Sequence, residues 1–289
     1  MILSKDRILT THVGSLPRSE KVFKLVFAKE DGKNLDKKEY DEVIADAVKT
    51  VVKKQEDVGI DVVSDGEQSK ISYATYIKHR LNGFDGDSPR RTPKDLEEYP
   101  AFSKRASSSG GVPTYSRPQC VGPISVKDLK PLEVDLQNFK DALSASESTD
   151  AFMNAASPGV IAQFQPNQHY PDHSSYLYAL ADAMKVEYAG IAKAGLVIQI
   201  DSPDLALGRH VLFKDQSDEE FVSMAELHIE ALNHALQNIP AEQLRLHVCW
   251  GNYQGPHHCD IEMKKILPAV LKAKPMALSF EGANPRHSH

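Results

Sequence analysis

"SSYLYALADAMKVEYAGIAKAGLVIQIDSPDLA", residues 174–206, holds a helix, a stop and a strand in one run. Apolar residues recur at helical spacing through 174–194, Gly195 ends the pattern, and 196–201 is an apolar stretch closing on a carboxylate, Asp201. The same unit recurs along the chain. Helical patterns cover 37–58, 218–237 and 261–272, and strand-like runs occupy 8–12, 61–64, 119–122, 160–164, 245–249 and 277–281. Asp36, with Glu39 three residues on, caps the first of these helices, and Gly59 stops it just before a strand. Strand and helix alternating without hairpin signals imply parallel strands joined by right-handed crossovers. Seven such strands predict an α/β fold, a (β/α)8 TIM barrel. It is apparently truncated before the eighth strand, because "GANPRHSH" follows the seventh directly. The expected organisation is a single barrel domain over 1–289. A long loop excursion at 85–118, rich in Pro, Ser, Gly and charge, is expected to be disordered or to lie over the barrel mouth.

Composition narrows the function classes. With 41% hydrophobic residues, 26% charged residues and a net charge of −6, the chain has no basic excess to serve nucleic acid or an anionic membrane. No apolar run approaches the ~18–20 residues that span a bilayer, and charges stand in the first residues where a signal peptide needs an apolar stretch. Three cysteines are too few for a disulfide framework, so a cytoplasmic location is expected.

Chemistry in a barrel gathers where strands end. His247 and Cys249 stand two apart, on one face of a strand. Imidazole and thiolate both suit zinc, although a His-x-Cys pair alone also fits core packing. Glu281, ending the next strand, would lie beside them, and a buried carboxylate there calls for a cation. His257, His258 and Cys259 follow in the next loop and read as loop residues; Ser125, Ser202 and Asn284 read as caps and turn residues. Trp250 and Tyr253 are equally lid packing or ring faces for a flat ligand.

Five motifs taken in order, "TTHVGSLPR" (10–18), "GIDVVSDGEQSK" (59–70), "GLVIQIDSPDLA" (195–206), "HVCWGNYQGPHH" (247–258) and "LSFEGANPRH" (278–287), resemble the cobalamin-independent methionine synthase family, in its short, single-barrel members. The resemblance implies a (β/α)8 barrel and a zinc ion held by His247, Cys249 and Glu281, with a second cysteine of the family pattern expected beyond residue 289. It implies a methyltransferase that moves a methyl group to the thiol of homocysteine. The zinc keeps the thiol as thiolate, its nucleophilic form. Gly14 and Ser15 are candidates for the substrate carboxylate, and Glu67 and Asp201 for its ammonium group. The methyl donor stays open between a methylated folate and a methylcorrinoid, the general acid is not placed, and homo-oligomerisation is left open. Two other readings remain. An epoxyalkane–coenzyme M type alkyltransferase would leave Glu67 and Asp201 without a cation, and a non-catalytic barrel would have an incomplete metal site.

Overall fold

The computed structural model describes residues 1–109, 115–253, 255–284 and 287. Its strands are β1 (Val62–Ser64), β2 (Leu81–Asp85), β3 (Gln119–Val126), β4 (Asp150–Ala156), β5 (Val197–Asp201), β6 (Leu244–Val248) and β7 (Ala277–Phe280). Five of them pair in parallel, in the order β1-β4-β5-β6-β7, forming a curled half-barrel. The helices are α1 (Glu20–Glu30), α2 (Lys37–Asp57), α3 (Lys94–Glu97), α4 (Pro100–Ser109), α5 (Lys130–Leu143), α6 (Pro158–Phe164), α7 (His173–Lys193), α8 (Gly208–Val211), α9 (Asp218–Leu236) and α10 (Met263–Val270). Among these, α7 packs on α9, α9 on α10 and α2 on α5, so the long crossovers cover the sheet. Met153, Ile198, Ile200, Leu246 and Val248 are shut from solvent in the core beneath them. No helix of the described residues is long and apolar enough to cross a membrane.

The parallel α/β class is borne out as a half-barrel, and the expected roll of seven parallel strands changes in three places. Residues 160–164 are helical rather than extended. Ser157 accepts the Val160 amide (3.0 Å) and Pro158 fills the first helical turn, which together start α6. The strand is β4, just upstream, lying between β1 and β5. Residues 119–122 belong to β3, which pairs antiparallel with β2 in a separate two-stranded ribbon. Segment 8–12 runs beside β1 but makes a single parallel bridge, Thr11 to Val62. The Thr10 amide donates instead to the Asp61 carboxylate (2.8 Å), which removes a ladder bond. Within 85–118, the helices α3 and α4 form and parts of the segment line a cavity, while 110–114 lie outside the described residues.

Gly159, in the first turn of α6, lies against two buried polar groups. A Cβ there would fall 2.0 Å from Asp204 Oδ2 and 2.4 Å from His228 Nδ1. Those groups are fixed, because His228 Nδ1 lies 2.8 Å from Asp204 Oδ2 and the Ser157 hydroxyl donates to Asp204 Oδ1 (2.8 Å). Gly159→Ala is expected to lower stability by about 1–3 kcal/mol, the usual cost of overpacking. Urea denaturation checks this, and an unchanged midpoint would show that the turn yields.

Candidate active site at the carboxyl ends of the strands

The parallel register sets Asp201 of β5 beside His247 of β6, and Val248 beside Phe280 of β7. Cys249 and Glu281 therefore leave adjacent strands at one level. Asp201 Oδ1 lies 3.0 Å from His247 Nδ1, fixing the ring and directing its other nitrogen away from the carboxylate. Burial opposes charge on this imidazole, but hydrogen bonds with Asp201 and Cys249 outweigh it and push its pKa up to about 10. The Gly251 amide donates to Cys249 Sγ (3.2 Å). Glu281 accepts from Asn284 Nδ2 (2.7 Å) and lies 2.7 Å from His287 Nδ1.

Imidazole, thiol and carboxylate are side-chain types that suit zinc, and the carboxylate behind His247 is the usual support for a ligating ring. Among the described residues, the groups of ligand-type side chains that come within 4.8 Å of one another are His257, Asp260 and His287, and Glu98, His258 and Cys259; His247, Cys249 and Glu281 are not brought that close together. His257 and Cys259, read from sequence as loop residues, thus stand in clusters of their own.

Across the sheet, Glu67 follows β1 in a left-handed backbone conformation (φ 54°) and is 2% exposed. Its Oε2 is buried without a hydrogen-bond partner. Burial lifts its pKa to about 7, Asp201 and Asp65 push the same way, and Lys70 and Arg18 oppose them. Gly14 closes against this carboxylate: a Cβ there would meet Glu67 Oε1 at 2.9 Å and Asn154 Nδ2 at 3.1 Å. Ser15 is exposed beside it. Asp201 is held on both oxygens, by Asn154 Nδ2 (2.8 Å) and by Gln199 Nε2 (2.9 Å). Asn154 leaves its own Oδ1 buried and unpartnered. Glu67, Asn154 and Asp201 thus form a buried, acceptor-rich spot beside the His247–Cys249 pair.

Sequence reading missed Asn154, which sits on the unread strand β4. An asparagine inside the apolar run "DAFMNAA" was the available signal, since a buried amide needs a reason. It also missed Lys70, whose ammonium donates to Asn154 O (2.6 Å) and steadies that strand end. Trp250 is fully buried, donates to Ile261 O (2.7 Å) and stacks on His287, so it packs the core rather than facing a ligand. Tyr253 lines a cavity of about 380 Å³ over the strand ends, together with parts of 85–118.

A family model described as the catalytic domain of cobalamin-independent synthase matches residues 8–89. The methionine synthase of Saccharolobus solfataricus is 27% identical over 274 residues, 93% of this chain and 72% of that protein. That of Sulfurisphaera tokodaii is 28% identical over 84% of this chain and 62% of its own length. A B12-independent methionine synthase from Shewanella sp. W3-18-1, solved with selenomethionine, superposes over 96% of this chain and 74% of its own (TM-score 0.68, 20% identity). A Listeria monocytogenes protein described as a putative vitamin-B12-independent methionine synthase covers 86% and 68% (TM-score 0.58, 21% identity). Sheet and relatives together set the chain beside one class of enzyme, the methionine synthases. Within that class the chain is a relative of the cobalamin-independent methionine synthases, as its five motifs imply.

Proposed function

We propose that this chain is a zinc-dependent methyltransferase that moves a methyl group to the thiol of homocysteine and so forms methionine. The observation that carries this reading is Glu67: a carboxylate 2% exposed, with one oxygen unpartnered and Lys70 and Arg18 not enough to offset its burial, gains from a further cation opposite it. The ammonium group of an amino acid supplies that cation, and Asp201 and the free Asn154 carbonyl lie on the same side to share it. Gly14 leaves room for the ligand backbone, because any larger residue would fill the approach to Glu67. Ser15 and the neighbouring backbone amides serve the ligand carboxylate.

His247, Cys249 and Glu281 would hold the metal, in one catalytic barrel domain over 1–289. Zinc when bound supplies a thiol held as thiolate at neutral pH. Asp201 does two jobs: it fixes His247 as a ligand and places negative charge by the ammonium group. Held there, the homocysteine sulfur points toward Cys249 and attacks the methyl carbon from the side opposite the donor atom. The carbon–donor bond breaks as the carbon–sulfur bond forms, its electron pair stays on the donor, and a proton from solvent or a side chain neutralises that donor. A coenzyme M type alkyltransferase is disfavoured by the same carboxylate, since a sulfonate thiol brings no cation to Glu67.

The sign of the pH dependence follows. Above pH 7 Glu67 is ionised and ready for an ammonium group; below it, ligand binding must first expel a proton. Methionine is the clean probe, because it keeps the ammonium and carboxylate groups and has no thiol to titrate. Its affinity, measured by calorimetry, is expected to fall by up to about tenfold per pH unit from 7 toward 5. Glu67→Gln should flatten the profile. A wild-type profile already flat over that range would remove the amino-acid assignment.

A further inference from the structure

Three imidazoles and one carboxylate meet in the segments that follow β5, β6 and β7. His210 stands on α8, His257 and Asp260 in the loop between β6 and α10, and His287 after β7. All four are shut in: side-chain exposure is 0% for His210 and His257, 1% for His287 and 7% for Asp260. Ligand atoms of His257, Asp260 and His287 lie within 4.8 Å of one another. His257 Nδ1 at 3.0 Å and His287 Nε2 at 2.7 Å approach the same oxygen, Asp260 Oδ2. His210 Nδ1 faces the other oxygen, Oδ1, at 3.5 Å, and neither of these two atoms has a hydrogen-bond partner.

The proton count leaves lone pairs facing this carboxylate, because a neutral imidazole carries one N–H. His257 Nε2 lies 3.1 Å from the Tyr253 carbonyl oxygen, which can only accept, so the proton sits there and Nδ1 turns a lone pair to Asp260. The Tyr253 hydroxyl donates to Asp95 Oδ2 (2.6 Å). His210 Nε2, 3.1 Å from that hydroxyl, must therefore donate to it, and its Nδ1 again offers a lone pair. Burial holds the pKa of His210 down, in keeping with a neutral ring. His287 lies between two carboxylates, Nδ1 at 2.7 Å from Glu281 Oε2 and Nε2 at 2.7 Å from Asp260, and a neutral ring has a proton for one of them only. Lone pairs aimed at a buried anion repel it, and a divalent cation between them turns the same arrangement attractive. Each ring also has an oxygen behind its second nitrogen, which fixes the tautomer as it does for metal-ligating histidines. Stacking sets two of the ring planes, His257 on Tyr253 at 4.3 Å and His287 on Trp250 at 4.1 Å.

We propose that His257, His287 and Asp260, closed by His210, form a second metal site, a structural one that takes zinc or a similar divalent transition ion. Imidazole-rich donor sets select such ions over magnesium and calcium, which prefer oxygen. Four protein ligands leave no open position, so the ion holds structure and performs no chemistry. It ties together the segments after β5, β6 and β7 and, through His287, steadies Glu281. The site shares no ligand with the set His247, Cys249 and Glu281, and its test does not depend on the methyl-transfer reading.

Zinc loading of the 289-residue chain tests this in a His247→Ala/Cys249→Ala background, which removes the other set. After dialysis that background should retain about one zinc per chain, and adding Asp260→Asn or His257→Gln should bring it close to none. Cobalt(II) loaded in place of zinc should show tetrahedral d–d absorption without a thiolate charge-transfer band, which separates the site from Glu98, His258 and Cys259. Chelation should lower the urea midpoint of the background chain, and that shift should vanish once Asp260→Asn is added. Circular dichroism confirms that each variant folds, and His257→Gln supplies the comparison where Asp260→Asn does not. A folded background chain that retains no zinc, or that retains as much after Asp260→Asn and His257→Gln, overturns the proposal, as does a thiolate band from the bound cobalt.

Discussion

Glu67→Gln is expected to weaken homocysteine binding by about two orders of magnitude while leaving zinc in place. The glutamine keeps the size of the side chain and removes the charge, so an ammonium group loses one charge-assisted hydrogen bond in a site that excludes water. That typically costs a few kcal/mol. Glu67 makes no hydrogen bond with His247, Cys249 or Glu281, so the donor set does not depend on it. Asp201→Asn should behave differently, because its Oδ1 lies 3.0 Å from His247 Nδ1. It should weaken thiol binding to a similar degree and also lower zinc affinity by about 10–100-fold, the usual effect of losing a ligand's supporting carboxylate. Thiol titration beside metal analysis on the two variants separates the roles. Wild-type homocysteine affinity in Glu67→Gln would end the assignment, and a thiol lacking the amino group should be nearly indifferent to that change.

Stability should respond most to Arg80. Its guanidinium is 3% exposed, donates to Asp135 (2.6 Å), pairs with Glu187 (2.8 Å) and lies over the Tyr76 ring at 4.6 Å. It joins the start of β2 to α5 and α7, and those two carboxylates hold it firmly ionised. Arg80→Met leaves Asp135 and Glu187 buried without their cation, which typically costs about 3–5 kcal/mol. Chemical denaturation should show it as a lower midpoint. A loss under about 1 kcal/mol would mean that solvent reaches the carboxylates and that the network is not part of the core.

The elements legible in the sequence were those whose signals are local. Asp36 caps α2 through the Glu39 amide (3.0 Å), Ser217 and Glu220 cap α9 reciprocally, and Gly195 has the left-handed φ (84°) that ends a helix before β5. The ribbon of β2 and β3 gave no turn signature, because its strands are separated by the whole of 86–118. At 157–164 a short apolar run hid a helix, since periodicity cannot distinguish a buried strand from two turns of buried helix; Ser157 and Pro158 were the better signal. The strand-end rule singles out Glu67, Asp201 and His247, which the fold sets close to one acceptor-rich spot. It could not find Asn154, on a strand not yet recognised, nor the imidazole cluster at Asp260. His210, His257 and His287 come together only through tertiary packing of three separate segments.

The central claim, that His247 and Cys249 hold a zinc ion for thiol chemistry, is tested most directly by metal content. The chain is loaded with zinc, dialysed and analysed beside His247→Ala and Cys249→Ala, with circular dichroism to confirm that each variant folds. Wild type should retain roughly one zinc per chain more than each folded variant. Folded variants that keep as much zinc as wild type would contradict the claim.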